Sequence, residues 1–241
     1  MNEPFLSVSG VSRNFAGLLA VDTVSFDLAR GEILSVIGPN GAGKTTLFNL
    51  LTGQLRPSAG TVLFRGRDIT ALGPHQRTRL GMGRTFQIAK PLIALSALEN
   101  VMVGAFLRHR KLQDAEERAF AVLEEVGLAD RAAVRAGELT LSERRRLEVA
   151  RALATDPELI LLDEVMAGLN ASEVGLAIAL VEQLNERGLT FLIIEHNLKV
   201  VRTFSRRVIV LDRGAVIAEG TADEILDSPV VVEAYIGKRR R

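Results

Sequence analysis

The stretch from Ile33 to Thr46 is the feature that most constrains the fold of this chain. A largely apolar run over Ile33–Ile37 predicts a buried strand, and the glycine-rich loop after it leads into a helical pattern that begins at Lys44. The loop has the spacing G-x-x-x-x-G-K-[ST], and a strand before it and a helix after it are the context that this motif requires. We therefore expect an α/β protein with a phosphate-binding loop at the end of a strand.

The chemistry of that loop predicts binding of a nucleoside triphosphate. Glycines allow backbone N–H groups to converge on phosphate oxygens, and the N-terminal end of a helix adds a partial positive charge. Lys44 supplies a full positive charge, and the Thr45 hydroxyl is a candidate ligand of Mg²⁺. The candidate phosphate-binding positions are Gly38, Pro39, Asn40, Gly41, Ala42, Gly43, Lys44, Thr45 and Thr46.

The composition excludes several classes of protein. The 241 residues are 47% hydrophobic and carry a formal net charge of +1, which gives no electrostatic footprint for nucleic acid. Cysteine is absent, so neither disulfides nor a cysteine-based metal site is expected. The N-terminus lacks a signal-peptide pattern, and no apolar run reaches the roughly 18 residues of a membrane-spanning helix. We expect a soluble chain that contacts a membrane only through partners.

Two kinds of strand pattern predict two layers of sheet. Residues 5–30 and 60–70 alternate apolar and polar positions, which is typical of an antiparallel layer with one solvated face. Three later runs, Leu159–Leu162, Phe191–Ile194 and Val208–Leu211, are apolar on consecutive residues. With helical segments between them, they fit a parallel sheet that is covered on both faces.

Residues 88–155 contain several helical patterns and few strand-like runs. Apolar positions in 114–126 fall on one helical face, and a second helix is predicted over Glu143–Ala154. We expect a single domain over 1–241 in which this helical block is inserted into the nucleotide-binding core. A further helix is predicted over Ser172–Arg187, with its first residue as the N-cap.

Two acids, Asp163 and Glu164, follow the run Leu159–Leu162. Ligands bind α/β sheets at the carboxyl ends of their strands, so Asp163 is a candidate Mg²⁺ ligand, through water. Glu164 is a candidate for aligning or deprotonating the water that attacks a γ-phosphate. Alone, the pair would be equally consistent with two surface acids; the glycine-rich loop in the same chain favours the functional interpretation.

His196 and Gln87 are two further candidates. His196 comes shortly after the run Phe191–Ile194, where it could hydrogen-bond the γ-phosphate, although a lone histidine is more often structural. Gln87 lies where the core passes into the helical block, and its amide oxygen could reach a metal or a water. Taken alone, this glutamine would be an ordinary loop residue.

The candidate residues form an ordered set along the chain: Gly38–Thr46, Gln87, Leu139–Arg146, Asp163-Glu164 and His196. This set resembles the ATP-binding subunits of ABC transporters, and the resemblance covers essentially the whole chain. Further stretches are similar to the ATPases of branched-chain amino-acid importers: 15–21, Ala167–Asn170, Ile194–Leu198 and 220–237. The resemblance implies a P-loop NTPase (RecA-like) core with a mainly parallel sheet, an N-terminal antiparallel β subdomain and an inserted α-helical subdomain.

The resemblance also implies a role for each matching position. These roles are adenine stacking for Phe15, phosphate contact for Lys44, Mg²⁺ ligation for Thr45 and Asp163, metal sensing and coupling to the transport partner for Gln87, general base for Glu164, and γ-phosphate switch for His196. For Phe15, a place in the hydrophobic core is the alternative.

The segment Leu139–Glu143 departs from the family pattern, since relatives usually have Leu-Ser-Gly-Gly-Gln there. In head-to-tail pairs this segment closes the nucleotide site of the other subunit, which makes Thr140 and Ser142 candidate ATP contacts. Thr140 and Glu143 also fit a capping box, which alone would explain them. The missing glycines keep open a regulatory subunit that binds ATP with weak turnover. Arg144–Arg146 are expected to form mainly a solvated face.

The resemblance implies an ATP-hydrolysing subunit of an importer for branched-chain or related amino acids, with ATP and Mg²⁺ as cofactors. Its implied partners are permease transmembrane subunits, a second ATPase subunit in a homo- or heterodimer and, indirectly, a solute-binding protein. The implied location is the cytoplasmic face of the inner membrane, with no nucleic acid bound. A non-transport ABC ATPase is the alternative, but the long coiled-coil, zinc or basic insertions that it would need are not visible.

Overall fold

The computed structural model describes residues 3–85 and 91–236. The strands are β1 (Leu6–Phe15), β2 (Leu18–Leu28), β3 (Ile33–Ile37), β4 (Ala59–Phe64), β5 (Arg67–Asp68), β6 (Met82–Arg84), β7 (Leu159–Asp163), β8 (Thr190–Ile194), β9 (Arg207–Asp212) and β10 (Ala215–Gly220). The helices are α1 (Lys44–Leu51), α2 (Pro74–Arg79), α3 (Ala97–Ala105), α4 (Leu112–Glu125), α5 (Leu141–Leu153), α6 (Ala171–Glu186), α7 (Leu198–Phe204), α8 (Ala222–Leu226) and α9 (Pro229–Ile236).

The chain forms two compact units. The first consists of Met1–Arg77 together with Thr190–Arg241, and the second of Thr78–Leu189. None of the helices in the described parts of the chain has the length and apolar character needed to cross a membrane.

An antiparallel sheet in the first unit has the strand order β2-β1-β4-β5. Leu6 of β1 pairs with Leu28 on one side and with Phe64 on the other, and all three side chains are buried. Intervening positions such as Ser25 and Asp27 are exposed, as the alternating pattern requires. The antiparallel layer predicted from residues 5–30 and 60–70 is confirmed.

A second sheet in the first unit contains β10, β9, β3 and β8 in that order. β3 runs parallel to both of its neighbours, and β10 closes the edge in the antiparallel direction. Every residue of Ile33–Ile37 and of Thr190–Ile194 is buried, because the interior strands of such a sheet are covered on both faces. The predicted buried strands and their mainly parallel pairing are confirmed.

The second unit combines a short parallel pair, β6 and β7, with a block of helices. On α4, Ala115, Ala119 and Val122 are buried on one face, as the sequence periodicity predicts. Gly127 has φ +66° just after the end of this helix, a conformation that glycine adopts at little cost. The inserted helical subdomain of the predicted fold class is therefore present.

Two helix starts illustrate how capping sets the boundaries. α5 begins at Leu141, with Thr140 as N-cap and Glu143 completing the predicted capping box. For α6 the prediction of Ser172 as N-cap is wrong. Asn170 is the N-cap: its Oδ1 accepts a hydrogen bond from Glu173 N at 3.0 Å, and Asn170 N donates to Glu173 Oε2 at 2.9 Å. This reciprocal box satisfies two N–H groups that a start at Ser172 would leave to water.

The arginines that follow the N-cap of α5 are not a solvated face, so that expectation is wrong. Arg144 donates to Gly137 O at 2.7 Å, and Arg146 donates to Gly127 O at 2.7 Å. Arg145 forms an ion pair with Glu148 at 3.4 Å. Charged side chains at partly buried positions need such partners, which sequence alone does not identify.

Arg77 fixes the C-terminal end of α1, the helix that begins at the glycine-rich loop. The residue is 1% exposed, and its guanidinium donates to Leu50 O at 2.9 Å and to Leu51 O at 2.6 Å. The carbonyls of Leu72 and Thr70 accept two further hydrogen bonds. Burial lowers the pKa of Arg77 to about 10, so the side chain remains charged at neutral pH. A buried cation thus satisfies carbonyls at the helix end, where positive charge is favourable.

Replacing Arg77 by methionine should lower the free energy of unfolding by about 3 kcal/mol, because buried carbonyls lose their donors. Urea denaturation followed by circular dichroism measures this change. Arg79→Met is the matched control, since its side chain is exposed on the same helix, and its effect should stay within about 0.5 kcal/mol. Equal effects of the two substitutions would contradict the capping role.

Candidate nucleotide site

The loop between β3 and α1 holds the ammonium group of Lys44 against its own backbone. Lys44 Nζ donates to Gly38 O at 2.6 Å and to Pro39 O at 3.0 Å, and the residue is 7% exposed. Thr45, the next residue, is exposed. The loop therefore carries a positive charge whose position is set by two carbonyls of the same loop.

Close backbone approach explains two of the glycines in this loop. A Cβ on Gly38 would lie 2.1 Å from Leu211 O, and one on Gly43 would lie 2.4 Å from Ala20 O. Gly43 also has φ +100°, which residues with a side chain rarely adopt. The backbones of β9 and β2 thus lie so close to the loop that no side chain would fit at Gly38 or Gly43.

The turn between β9 and β10 holds the loop by hydrogen bonds. Gly214 N donates to Ala42 O at 2.9 Å, and Asp22 N donates to Gly214 O at 2.8 Å. Gly43 is the N-cap of α1 and has no side chain that could bond the first N–H groups of the helix. Those N–H groups and the helix dipole are the features that bind an anion.

Phe15 lies at the end of β1 and does not belong to the hydrophobic core. The residue is 38% exposed, and the Arg13 guanidinium carbon lies 4.6 Å from its ring centroid. This cation–π contact orients an aromatic ring in the same unit as the loop. An exposed, oriented ring is what stacking on adenine requires, and that role remains a prediction.

His196 lies at the same edge of the sheet as the glycine-rich loop. It follows β8, which is the parallel neighbour of β3, so both connections leave the carboxyl ends of adjacent strands. The His196 side chain is exposed, whereas the preceding Glu195 is 1% exposed. The structure thus brings His196 and Gly38–Thr46 together at one edge, as the sequence predicts.

In the second unit, Asp163 ends β7 as a buried carboxylate. It is 1% exposed, and its Oδ2 forms an ion pair with Arg84 Nη2 at 3.2 Å. Asp163 N donates to Thr85 Oγ1 at 3.2 Å. Burial lowers the pKa of Arg84, and the charge of Asp163 opposes that shift. Arg84 is a residue that the sequence analysis missed, because no motif or spacing marks it.

Glu164 has an unusual backbone conformation for its residue type. Its φ is +49°, in the left-handed region, and its side chain is half-buried. Such a conformation costs a residue with a Cβ about 1–2 kcal/mol, and it is enriched at functional sites. The chain bends at Glu164, immediately after the buried strand β7.

The segment at the start of α5 is capped and partly apolar. Thr140 Oγ1 accepts from Glu143 N at 3.2 Å, and Thr140 N donates to Glu143 Oε2 at 2.8 Å. Hydrogen bonding to the Thr140 backbone is the largest cause of a lowered pKa at Glu143. Leu141 is 47% exposed, and its Cδ2 lies 3.1 Å from the place of a Cβ on Gly168. Thr140 is exposed and Ser142 half-buried.

The candidate metal ligands are oxygen donors, which suits Mg²⁺. Thr45 offers an exposed hydroxyl in the first unit, and Asp163 offers a carboxylate in the second. Mg²⁺ commonly takes one or two protein oxygens and fills its remaining positions with water and phosphate. Gln87, the third predicted ligand, lies outside the described residues.

Comparisons with known proteins identify the relatives of the chain. A family model described as "ABC transporter" matches residues 21–167, and one described as "Branched-chain amino acid ATP-binding cassette transporter" matches residues 215–240. The chain is 39% identical, over 99% of its length, to the whole of the high-affinity branched-chain amino acid transport ATP-binding protein LivG of Escherichia coli strain K12. It is also 39% identical, with the same coverage, to BraF of Pseudomonas aeruginosa, which carries the same description.

Solved structures agree with these relatives. A crystal structure of the ADP conformation of an ATP-binding cassette from an ABC transporter superimposes with a TM-score of 0.90 at 33% identity, covering 98% of this chain and 100% of the other. A dimeric structure of a bacterial ABC transporter cassette gives a TM-score of 0.82 at 27% identity, covering 90% of this chain and 98% of the other.

The contact at Gly43 can be tested by Gly43→Ala, with Gly188→Ala as the matched control. Both glycines have φ near +100°, but a Cβ on Gly188 meets nothing within 4 Å. We expect Gly188→Ala to lose only about 1 kcal/mol of stability from backbone strain. Gly43→Ala should lose more and should abolish ATP binding measured by calorimetry, because the Ala20 carbonyl must move. Wild-type ATP affinity in Gly43→Ala would contradict this account of the loop.

Proposed function

Because the chain belongs to the ABC transporter family and is an ATPase of that family, we propose that it powers import of branched-chain or closely related amino acids. The observation that carries the proposal is full-length similarity to ATP-binding proteins described as branched-chain amino acid transporters. The C-terminal match over residues 215–240 to a model of the same kind of transporter adds independent support. The non-transport alternative is not favoured by these relatives.

The first unit supplies the charge that binds the phosphates. Lys44 and the uncapped N-terminus of α1 favour a polyphosphate, and the same groups stabilise the charge that develops on the transferred phosphoryl group. His196, at the same edge of the sheet, is the proposed hydrogen-bond donor to the γ-phosphate. Phe15 is the proposed stacking partner of the adenine.

The second unit supplies the acids. Glu164 is the proposed general base, which aligns the attacking water and accepts its proton. Thr45, Gln87 and Asp163 would hold Mg²⁺, which would neutralise charge on the phosphates. Arg84 forms an ion pair with Asp163 and balances part of its negative charge.

We further propose that two ATPase subunits pair head to tail, so that Thr140 and Ser142 of one subunit face the ATP of the other. One solved relative of this chain is a dimeric cassette, which supports the pairing. Thr140 and Glu143 cap the N-terminus of α5, and the dipole of this helix would favour a phosphate of the partner subunit's ATP. Full-length similarity to transport ATP-binding proteins favours a subunit with turnover over a regulatory subunit that only binds ATP.

The proposed assembly contains two permease subunits, a second ATPase subunit that is identical or homologous, and a solute-binding protein on the far side. The chain would sit on the cytoplasmic face of the inner membrane, where ATP is available. Closure of the ATPase pair on ATP and its reopening after hydrolysis would move the permease subunits. The transported solute would be selected by the partners.

Glu164→Gln should leave ATP affinity within about twofold of the wild type and reduce hydrolysis at least about a hundredfold, because the amide cannot accept the proton from water. Phosphate release assays and calorimetry measure the two effects. The variant should also elute as an ATP-dependent dimer in gel filtration.

Glu182→Gln is the matched control for this prediction, since Glu182 is an exposed acid on α6. It should keep wild-type hydrolysis. Turnover of Glu164→Gln at the wild-type rate would exclude Glu164 as the general base.

The importer assignment predicts what the chain binds. Tagged protein extracted from membranes of its own host should bring down two permease chains, which mass spectrometry would identify. The purified chain alone should show no binding of leucine in calorimetry. Recovery of ribosomal or DNA-repair proteins, or leucine binding by the isolated chain, would contradict the assignment.

A further inference from the structure

The C-terminal helix α9 reaches the first residue of the nucleotide loop through Tyr235, the one tyrosine in the sequence. The N–H of Gly38 donates a hydrogen bond to the Tyr235 hydroxyl oxygen at 2.8 Å. The two residues are 197 positions apart in sequence and lie in the same compact unit. A distant part of the chain is thereby tied to the point where β3 enters the loop.

Both backbone groups of Gly38 are engaged. Its N–H is held by Tyr235, and its carbonyl accepts the hydrogen bond from Lys44 Nζ at 2.6 Å. The backbone of β9 lies close to Gly38, because a Cβ at this position would lie 2.1 Å from Leu211 O. The position of the Lys44 ammonium therefore depends on the Gly38 peptide, and that peptide depends in part on Tyr235.

The packing of α9 orients the phenol ring. Val231 of α9 is 1% exposed and belongs to the same hydrophobic cluster as Ile37, the residue immediately before Gly38. Tyr235 packs against this cluster and is half-buried. Burial raises the pKa of Tyr235, with the Gly38 hydrogen bond as a smaller opposing effect. The phenol is therefore neutral at physiological pH and accepts as a hydroxyl.

We propose that Tyr235 is a positioning residue of the ATP site. Its hydroxyl holds the Gly38 peptide in the position from which Lys44 can contact the phosphates of ATP. The docking of α9 is thereby coupled to ATP affinity. This inference rests on the proposed ATP site at Gly38–Thr46. The coupling is reciprocal: the factor by which docked α9 strengthens ATP binding is the factor by which bound ATP stabilises docked α9. The C-terminal segment then acts as part of the nucleotide site.

Tyr235→Phe tests this role, because it keeps the ring and removes only the hydroxyl. We expect the Kd and the KM for ATP to rise about tenfold, which corresponds to about 1.4 kcal/mol. The kcat should stay within about twofold, since the hydroxyl does not touch the reacting atoms. Val232→Ala is the control on the same helix, at a side chain that is 42% exposed, and both constants should be unchanged.

Amide hydrogen exchange provides a second measurement, and its first part uses the wild-type protein alone. In the wild-type protein, ATP should slow exchange across α9, as reciprocal coupling requires. In Tyr235→Phe this ATP-dependent protection should disappear. If Tyr235 only packed against the cluster, Tyr235→Phe would keep that packing and would leave the KM and the ATP-dependent protection unchanged.

The outcomes separate this inference from the proposed function. If wild-type protein fails to bind ATP in calorimetry, the proposed ATP site and this inference both fail. If the wild type binds ATP and a folded Tyr235→Phe has an unchanged KM, only the inference is overturned. If the variant does not fold, hydrogen exchange in the wild-type protein is the deciding measurement. If ATP does not slow amide exchange across α9, the proposed role of Tyr235 is overturned.

Discussion

The close approach of backbone to backbone at the glycine-rich loop is the constraint on which the rest of the first unit depends. A loop that binds phosphates with its N–H groups must be held by something other than its own side chains. Here β9 and β2 press on Gly38 and Gly43, and the turn at Gly214 bonds Ala42. Strand β2 of the antiparallel layer and the hairpin of β9 and β10 thus help to hold the glycine-rich loop in place.

The two ends of α1 are stabilised in different ways. Its N-terminus is left uncapped towards the loop, while a buried guanidinium from Arg77 satisfies the carbonyls at its C-terminus. Unsatisfied N–H groups at one end are useful only if the helix does not shift to bury them. The hydrogen bonds from Arg77 to the C-terminal carbonyls of α1 meet this requirement, because they anchor the helix. The same bonds thereby help to stabilise the phosphate-binding N-terminus of α1.

The parts that the sequence predicted are those with local signals. The buried strands, the antiparallel layer and the capping box at Thr140 each depend on residues within a few positions of one another. The N-cap of α6 also had a local signal, the Asn170 and Glu173 pair, which outweighs a lone serine at position 172. Arg77, Arg84 and Tyr235 were not predictable, because each acts through a partner at a distant position in the sequence whose proximity only the fold creates.

The start of α5 departs from the family pattern in the segment that is proposed to contact the ATP of a second subunit. Glycines at this place in relatives would allow a phosphate to approach the backbone, and here Leu141 and Ser142 stand instead. Leu141 is 47% exposed, and its Cδ2 lies 3.1 Å from the place that a Cβ on Gly168 would take. The capping box engages Glu143 N within the segment, and the dipole of α5 still favours an anion at this N-terminus.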